Sequence, residues 1–343
     1  MINLRTNKLF LTIFACLALW LTGVPWALGQ SEHTAKLIEG AKKEGVVVIY
    51  GTMNLQDQMD VAAKFQEKYP FLKPQIYRLG VERLLARVLA EKRAGALSAD
   101  IVQTNAVILH IMKKEGVFGY YLPTDNRFFT KQFKEEGYWT ASNISIRLVA
   151  YNTRMVSEKE APKSYEELLD PKWKGKMMVR MTEHWFAGML QIMGKEKGLN
   201  YMRSLSRQNI LIQRLSNSMR AQLLAAGEAY LDINLTFGVV EELKNKGGPI
   251  DRAPVQPLVA VPSGYGLTAR PSHPYAAKLF LDFVLSKEGQ KIFMKVGRQV
   301  VRSDLFGEQE ALKNLQLVPL DPSMGEQMAY YTKQMKEIFS KKK

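Results

Sequence analysis

Cysteine is nearly absent: Cys16 is the only one in 343 residues. Past that position the chain has no disulfide, no thiol nucleophile and no thiolate metal ligand. Histidine is scarce as well. The four, at positions 33, 110, 184 and 273, form no His-x-x-x-His pair, so the commonest zinc-hydrolase pattern is excluded. There is no Gly-x-x-x-x-Gly-Lys-Ser/Thr phosphate loop, no Gly-x-Gly-x-x-Gly after a strand and no Gly-x-Ser-x-Gly elbow. Acidic residues are in deficit: 33 Asp and Glu face 48 Lys and Arg, a formal net charge of +15.

The N-terminus holds the first positive signal. Arg5 and Lys8 precede an apolar run from Leu9 to Leu21, too short to span a bilayer comfortably. Pro25 breaks the run, and Ala27-Leu28-Gly29 sets small residues three and one before a cut at Gln30. This is the pattern of a secretory signal peptide over residues 1–29. Cleavage there places the chain in the periplasm or otherwise outside the cytoplasm. Ile13-Phe14-Ala15-Cys16 loosely resembles a lipoprotein box, but Phe14 is bulky for it. The 314 residues from Gln30 onward suffice for two domains with separate cores. Most lysines are scattered along helix faces, the exception being Lys341-Lys342-Lys343. The basic excess therefore reads either as a solvated surface or as attraction for an anionic solute; nucleic acid is not expected for an exported chain.

After residue 30 the pattern alternates. "HTAKLIEGAKKEG" is an amphipathic helix, "VVVIYG" a buried strand, "LQDQMDVAAKFQEKYP" a helix and "PQIYRLG" a strand. "VERLLARVLAEKRAG" and "ADIVQTN" continue the theme, and "NISIRLVAYNT" is a long strand. "GKMMVRM", "NILIQRL" and "EAYLDINL" then read as strands between helices "WFAGMLQIM", "SMRAQLLAAG" and "FGVVEELKNKGG". Such repetition predicts an α/β fold with parallel sheets covered on both faces. Two units follow, with crossings near residues 140–150 and 250–260. In "ARPSHPYAAKLFLDFVLSKEGQKIF" Ser272 is the expected helix cap and Pro274 the first helical residue. His273 is then scaffold.

Ligands of open parallel sheets sit beyond the carboxyl ends of the strands. Those ends are polar or aromatic, and most run into a helix start whose free N–H groups favour anions. The candidates in the first unit are Thr52, Asn54, Thr104 and Asn105. In the second they are Glu183, His184, Trp185, Asn217, Asp232, Asn234 and Phe237. Arg147 or Arg214 can meet a carboxylate or phosphonate with a bidentate pair. Asp232 has no evident partner for acid–base work. No catalytic residue, cofactor or metal site is expected; for an exported enzyme, Glu183, His184 and Asp232 are the candidates.

Several segments resemble a known family. "YGLTARPSHPYAAKLFLDFVLSKEGQ" is similar to the C-terminal signature of the type II periplasmic solute-binding proteins of ABC importers. "VAYNT" resembles their crossover strand, "YEELLDPKWKGKMMV" the opening of their second lobe, and "KLIEGAKKEGVVVIYGT" their mature start. The resemblance covers nearly all of the mature chain and points to the ferric-iron branch with its phosphonate, thiamine and polyamine relatives. It implies two Rossmann-like lobes around a central cleft and hinge. Residues 30–145 with 256–343 would form lobe 1, and 146–255 lobe 2. It implies a monomeric receptor that traps a small solute by lobe closure and docks on the membrane permease of an ABC importer. The ferric branch carries adjacent tyrosines roughly where Thr236-Phe237 stands here, and an anion-binding turn where this chain reads "MTEHWFAG". Both departures favour a small anionic organic solute with a flat or aliphatic body, Trp185 offering the flat face. Ferric iron or an iron chelate is the alternative cargo. Tyr120-Tyr121 and Tyr330-Tyr331 lie elsewhere in the pattern.

Overall fold

The computed structural model describes residues 24–340, with side chains from Glu32 onward. The expected signal peptide, Cys16 included, lies outside the described residues up to residue 23. No described helix is long and apolar enough to cross a membrane.

The chain opens with α1 (Val24–Glu44), β1 (Val46–Gly51), α2 (Leu55–Lys68), β2 (Lys73–Arg78), α3 (Val81–Arg93), β3 (Ile101–Asn105) and α4 (Ala106–Lys114). The two-residue β4 (Lys134–Glu135) precedes the long β5 (Trp139–Asn152). Next come β6 (Met177–Val179), α5 (Glu183–Met193), α6 (Lys195–Ser206), β7 (Leu211–Ile212), α7 (Asn217–Ala226), β8 (Leu231–Thr236), α8 (Phe237–Asn245) and β9 (Ile250–Arg252). The chain returns through β10 (Leu258–Leu267), α9 (Pro274–Leu285), α10 (Lys287–Lys295), β11 (Gln299–Val300), α11 (Ser303–Phe306) and β12 (Leu317–Pro319), and ends in α12 (Met328–Phe339).

The strand order is β2-β1-β3-β10-β5-β8-β6-β7. β1 is parallel to β2 and β3, and β6 is parallel to β7 and β8. Between these parallel blocks run β10 and β5, antiparallel to each other and to their outer neighbours. Each block alternates strands with helices, as hydrophobic runs covered on both faces require. β5 serves both blocks. Its first half, through Ile146, pairs with β10; from Arg147 on it pairs with β8. The two lobes meet at that switch.

Two apolar clusters fill the interior, one mainly in the first block and one mainly in the second, and each crosses the switch. One gathers Val47, Ile49, Ile101, Leu109, Phe280 and Phe293 and extends to Leu235 and Phe237. The other gathers Trp173, Met177, Phe186, Met189, Met202 and Ile233. The second also takes Tyr331 and Met335 from α12, which packs on α5 and α6. Residues 256–343 were expected in lobe 1, but this last helix packs on the second lobe. Its apolar stripe is buried there.

Two local expectations differ in detail. "NILIQRL" yields only the two-residue β7, because β7 is the sheet edge and its partner β6 has three residues. The cap of α9 is His273, not Ser272. The buried Asp100 carboxylate fixes it: Oδ1 accepts from the His273 backbone N–H at 2.9 Å, and Oδ2 lies 2.8 Å from His273 Nδ1. Asp100 Oδ2 also accepts from Val48 N–H at 2.8 Å, so one carboxylate ties β1 to the start of α9. His273 is scaffold in the structure.

Candidate functional site

The strand ends converge. Asn54 caps α2, its Oδ1 accepting from Gln56 N–H at 2.8 Å, and Asn105 caps α4 by accepting from Ile108 N–H at 3.2 Å. Across from them Thr182 caps α5, accepting from Trp185 N–H at 3.4 Å, and Ser216 caps α7, accepting from Met219 N–H at 3.3 Å. These helix starts open on one cleft of ≈ 950 Å³, floored by Asn143, Ser145, Val261 and Ser263 of β5 and β10. That volume is near the top of the usual range for small-molecule sites.

Of the residues expected from sequence, Thr52, Asn54, Asn105, Glu183, His184, Asn217 and Asn234 line this cleft. Thr104, Trp185, Asp232 and Phe237 do not. Thr104 is fully buried behind the lining, its hydroxyl 3.2 Å from Thr52 Oγ1. Trp185 follows the capped turn of α5 and points into the second-lobe core. Phe237 is buried with Arg252 stacked over its ring. Asp232 is fully buried beneath the floor as the partner of Arg220. Strand ends alternate faces, so reading several consecutive residues there necessarily includes inward ones.

The first-lobe wall is largely satisfied by its own bonds. Gln103 Oε1 accepts from Thr52 N–H at 3.1 Å and from Met53 N–H at 2.9 Å. Gln58 donates to Met53 O at 2.9 Å. Arg298 also lines the cleft but is paired with Asp57.

The second-lobe wall carries the charge. Arg147, Arg180 and Arg214 line it, and none has a carboxylate partner among the described residues. Arg147 leaves β5 where pairing switches to β8. Its Nε is buried without a hydrogen-bond partner. Burial and the neighbouring Arg220 and Arg180 push its pKa down to about 10, so it stays cationic at neutral pH. Arg220 lines the cleft from below. Its Nη1 holds Asp232 at 2.6 and 2.5 Å, Nη2 donates to Asn217 Oδ1 at 2.7 Å and to Asn234 O at 2.8 Å, and its Nε has no partner. Burial pushes the Asp232 carboxyl up to about 6 against the pull of Arg220. His184 sits in the first turn of α5 with Nε2 buried and unpartnered. Burial, then the Arg147 charge, push it down to about 4, so its ring is neutral at pH 7. It is a hydrogen-bonding group there and not a charge.

Sequence reading missed Arg180, Arg220, Gln103 and Glu82, all of which line the cleft. Arg180 carried a usable signal, since it follows β6 immediately. Arg220 carried none, because a mid-helix arginine reads as solvated surface.

The acidic or imidazole groups on the lining are Glu82, Glu183 and His184, and no tyrosine is among the lining residues. Among the described residues no cluster of His, Cys, Asp or Glu could hold a metal ion. Tyr121 donates to Asp282 at 2.7 Å, Tyr120 stands exposed against Tyr138, and Tyr331 is buried on the inner face of α12.

Residues 98–315 match the family model described as bacterial extracellular solute-binding protein. Iron uptake protein A1 of Synechocystis sp. is 22% identical over 286 residues, 76% of this chain and 77% of that protein. Among solved structures, the periplasmic binding protein AfuA from Actinobacillus pleuropneumoniae, with exogenous fructose-6-phosphate bound, superposes with a TM-score of 0.71 at 23% identity, covering 85% of this chain and 97% of that one. The ferric binding protein from Campylobacter jejuni superposes with a TM-score of 0.73 at 19% identity, covering 85% and 99%.

Proposed function

Because the chain belongs to the family of bacterial extracellular solute-binding proteins, we propose that its cleft captures a small organic anion and delivers it to the permease of an ABC importer. The observation that carries this reading is the set Arg147, Arg180 and Arg214, arginines on one wall without carboxylate partners among the described residues. A guanidinium fork matches a carboxylate, phosphonate or phosphate ester bidentately. The capped starts of α5 and α7 add the positive ends of two helix dipoles. Asn54, Asn105 and Thr52 from the other lobe supply amide and hydroxyl groups for the rest of the solute. A ligand that touches both walls favours the closed form, with β5 and β10 as the hinge. Export through residues 1–29, cleavage after Gly29 and a monomeric mature form belong to the same proposal.

A second reading has one supporting observation, the similarity to iron uptake protein A1 and to a ferric binding protein. A bare ferric ion meets no phenolate on this lining. An anionic iron chelate would meet the same arginines as any other anion.

A thermal-shift screen tests the proposal with di- and tricarboxylates, phosphonates, sugar phosphates and ferric citrate. A ligand at about a hundred times its Kd adds about 2.7 kcal/mol to the folded state, a shift of several degrees. Stabilisation by an organic anion supports the reading. Stabilisation by ferric citrate and not by citrate selects the chelate. Silence toward every anion, or turnover of a substrate by the purified protein, overturns the receptor for anions.

A further inference from the structure

The last turn of α12 reaches the cleft: Met335, Lys336, Phe339 and Ser340 are lining residues. The packing explains how. Lys195, which begins α6 just after α5 ends, lies over the Tyr330 ring at 4.6 Å, so the start of α12 sits at the far end of α5. Tyr331 and Met335 then bury into the second-lobe core. The helix therefore runs antiparallel to α5, and Phe339 arrives beside the start of α5, where Thr182, Glu183 and His184 line the same cleft. Twelve helical residues span about 18 Å, enough to cover the length of α5.

The chemistry of this turn differs from that of the arginine wall. The end of a helix presents carbonyls and the negative end of its dipole, which disfavours an anionic head. Phe339 is half-buried and offers an aromatic face, with Met335 beneath it. Lys336 is exposed and has no ion pair among the described residues. Trp185 was expected to give the cleft its flat apolar face, but that ring is in the core.

We propose that the last turn of α12 is a third wall of the solute site, and that Phe339 selects a flat or apolar body attached to the anionic head. The proposal rests on the anion reading above and adds the class of solute: an anion bearing a ring or apolar group. A bare oxyanion leaves this wall unused.

Paired probes test it by calorimetry on the purified chain: methylphosphonate against phenylphosphonate, and succinate against phthalate. The wild type should prefer the ring-bearing member of the pair it binds. Phe339→Ala should weaken the ring-bearing member about tenfold and the short member by under about twofold, as expected for losing part of one aromatic contact. Phe339→Leu should restore part of the loss. Because Phe339→Ala also loosens α12, retained affinity for the short probe serves as the check that the site is intact. Equal weakening of both members, or an unchanged affinity for the ring, overturns the third wall alone. Silence of the wild type toward all four probes overturns the third wall; the anion reading falls with it only if every anion of the thermal-shift screen is silent too.

Discussion

On the first-lobe wall, Thr52, Met53 and Asn54 turn from β1 into α2, and Gln103 takes up two of their backbone N–H groups. On the second-lobe wall, Thr182 and Ser216 cap their helices in the same manner, but three arginines without carboxylate partners stand beside them. The local device is one and the same, a strand end running into a capped helix. What differs is how much of its polarity is already used. The first wall closes its own hydrogen bonds and leaves amide and hydroxyl groups for a neutral partner. The second leaves Arg147 Nε, Arg220 Nε and His184 Nε2 buried and unpartnered. Buried polar groups without partners are costly and rare, and those of Arg147 and His184 belong to side chains that line the cleft, where a ligand can complete them. Binding strength is therefore expected from the second wall and discrimination from the first.

The ion pairs under each wall give the largest contrast. Asp232→Ala leaves Arg220 buried with no counter-charge, and should cost about 3–5 kcal/mol in urea unfolding. The matching change on the first wall, Asp57→Ala, frees a partly exposed Arg298 and should cost about 0–1 kcal/mol. Equal losses would erase the distinction. Next in size is Arg147→Ala. It should weaken an anionic ligand about a hundredfold, near 2.7 kcal/mol, with little change in the unliganded melting point. An unchanged Kd would remove the second wall from its assigned role.

Acid reports on His184. Its folded pKa lies at about 4, below the ordinary 6.5. The unfolded chain therefore takes up the proton first, and the stability His184 contributes is present above pH 6.5 and lost as pH falls toward 4. Because each unit is worth about 1.4 kcal/mol and the ring keeps some contact with solvent, the expected loss is about 2 kcal/mol. His184→Gln should flatten that part of the pH–stability curve. A variant curve parallel to the wild type would mean that the ring is solvated. The smallest effects belong to the caps. Asn54→Ala, Asn105→Ala, Thr182→Ala and Ser216→Ala should each cost about 1 kcal/mol of stability. Ligand affinity should then fall more for the second-wall pair, measured by calorimetry, because only there does the helix start sit among free cations.

Much of the architecture was legible in the chain. β1, α2, α3 and β3 end within a few residues of where periodicity placed them, because their apolar faces and flanking Gly, Pro and Asn residues are strong local signals. The long strand read from "NISIRLVAYNT" is β5, which changes partners at Ile146–Arg147. β7 was overextended, since the length of an edge strand depends on its partner and not on its own residues. The site was legible as a set of strand ends and helix starts. Which side of each end faces the cleft was not, and Thr104, Trp185, Asp232 and Phe237 turned out to face inward.

The sequence alone determined the excluded chemistries, the basic excess and the alternation of strands and helices. These are local or additive properties, and one chain suffices to state them. Only the tertiary structure decided that Arg220 pairs with Asp232 under the floor, that Arg147, Arg180 and Arg214 share one wall, and that α12 returns to the second lobe and brings Phe339 to the cleft. Those outcomes depend on contacts between segments far apart in the chain. Burial and the competition for hydrogen-bond partners settle them, and neither is written in any single stretch of residues.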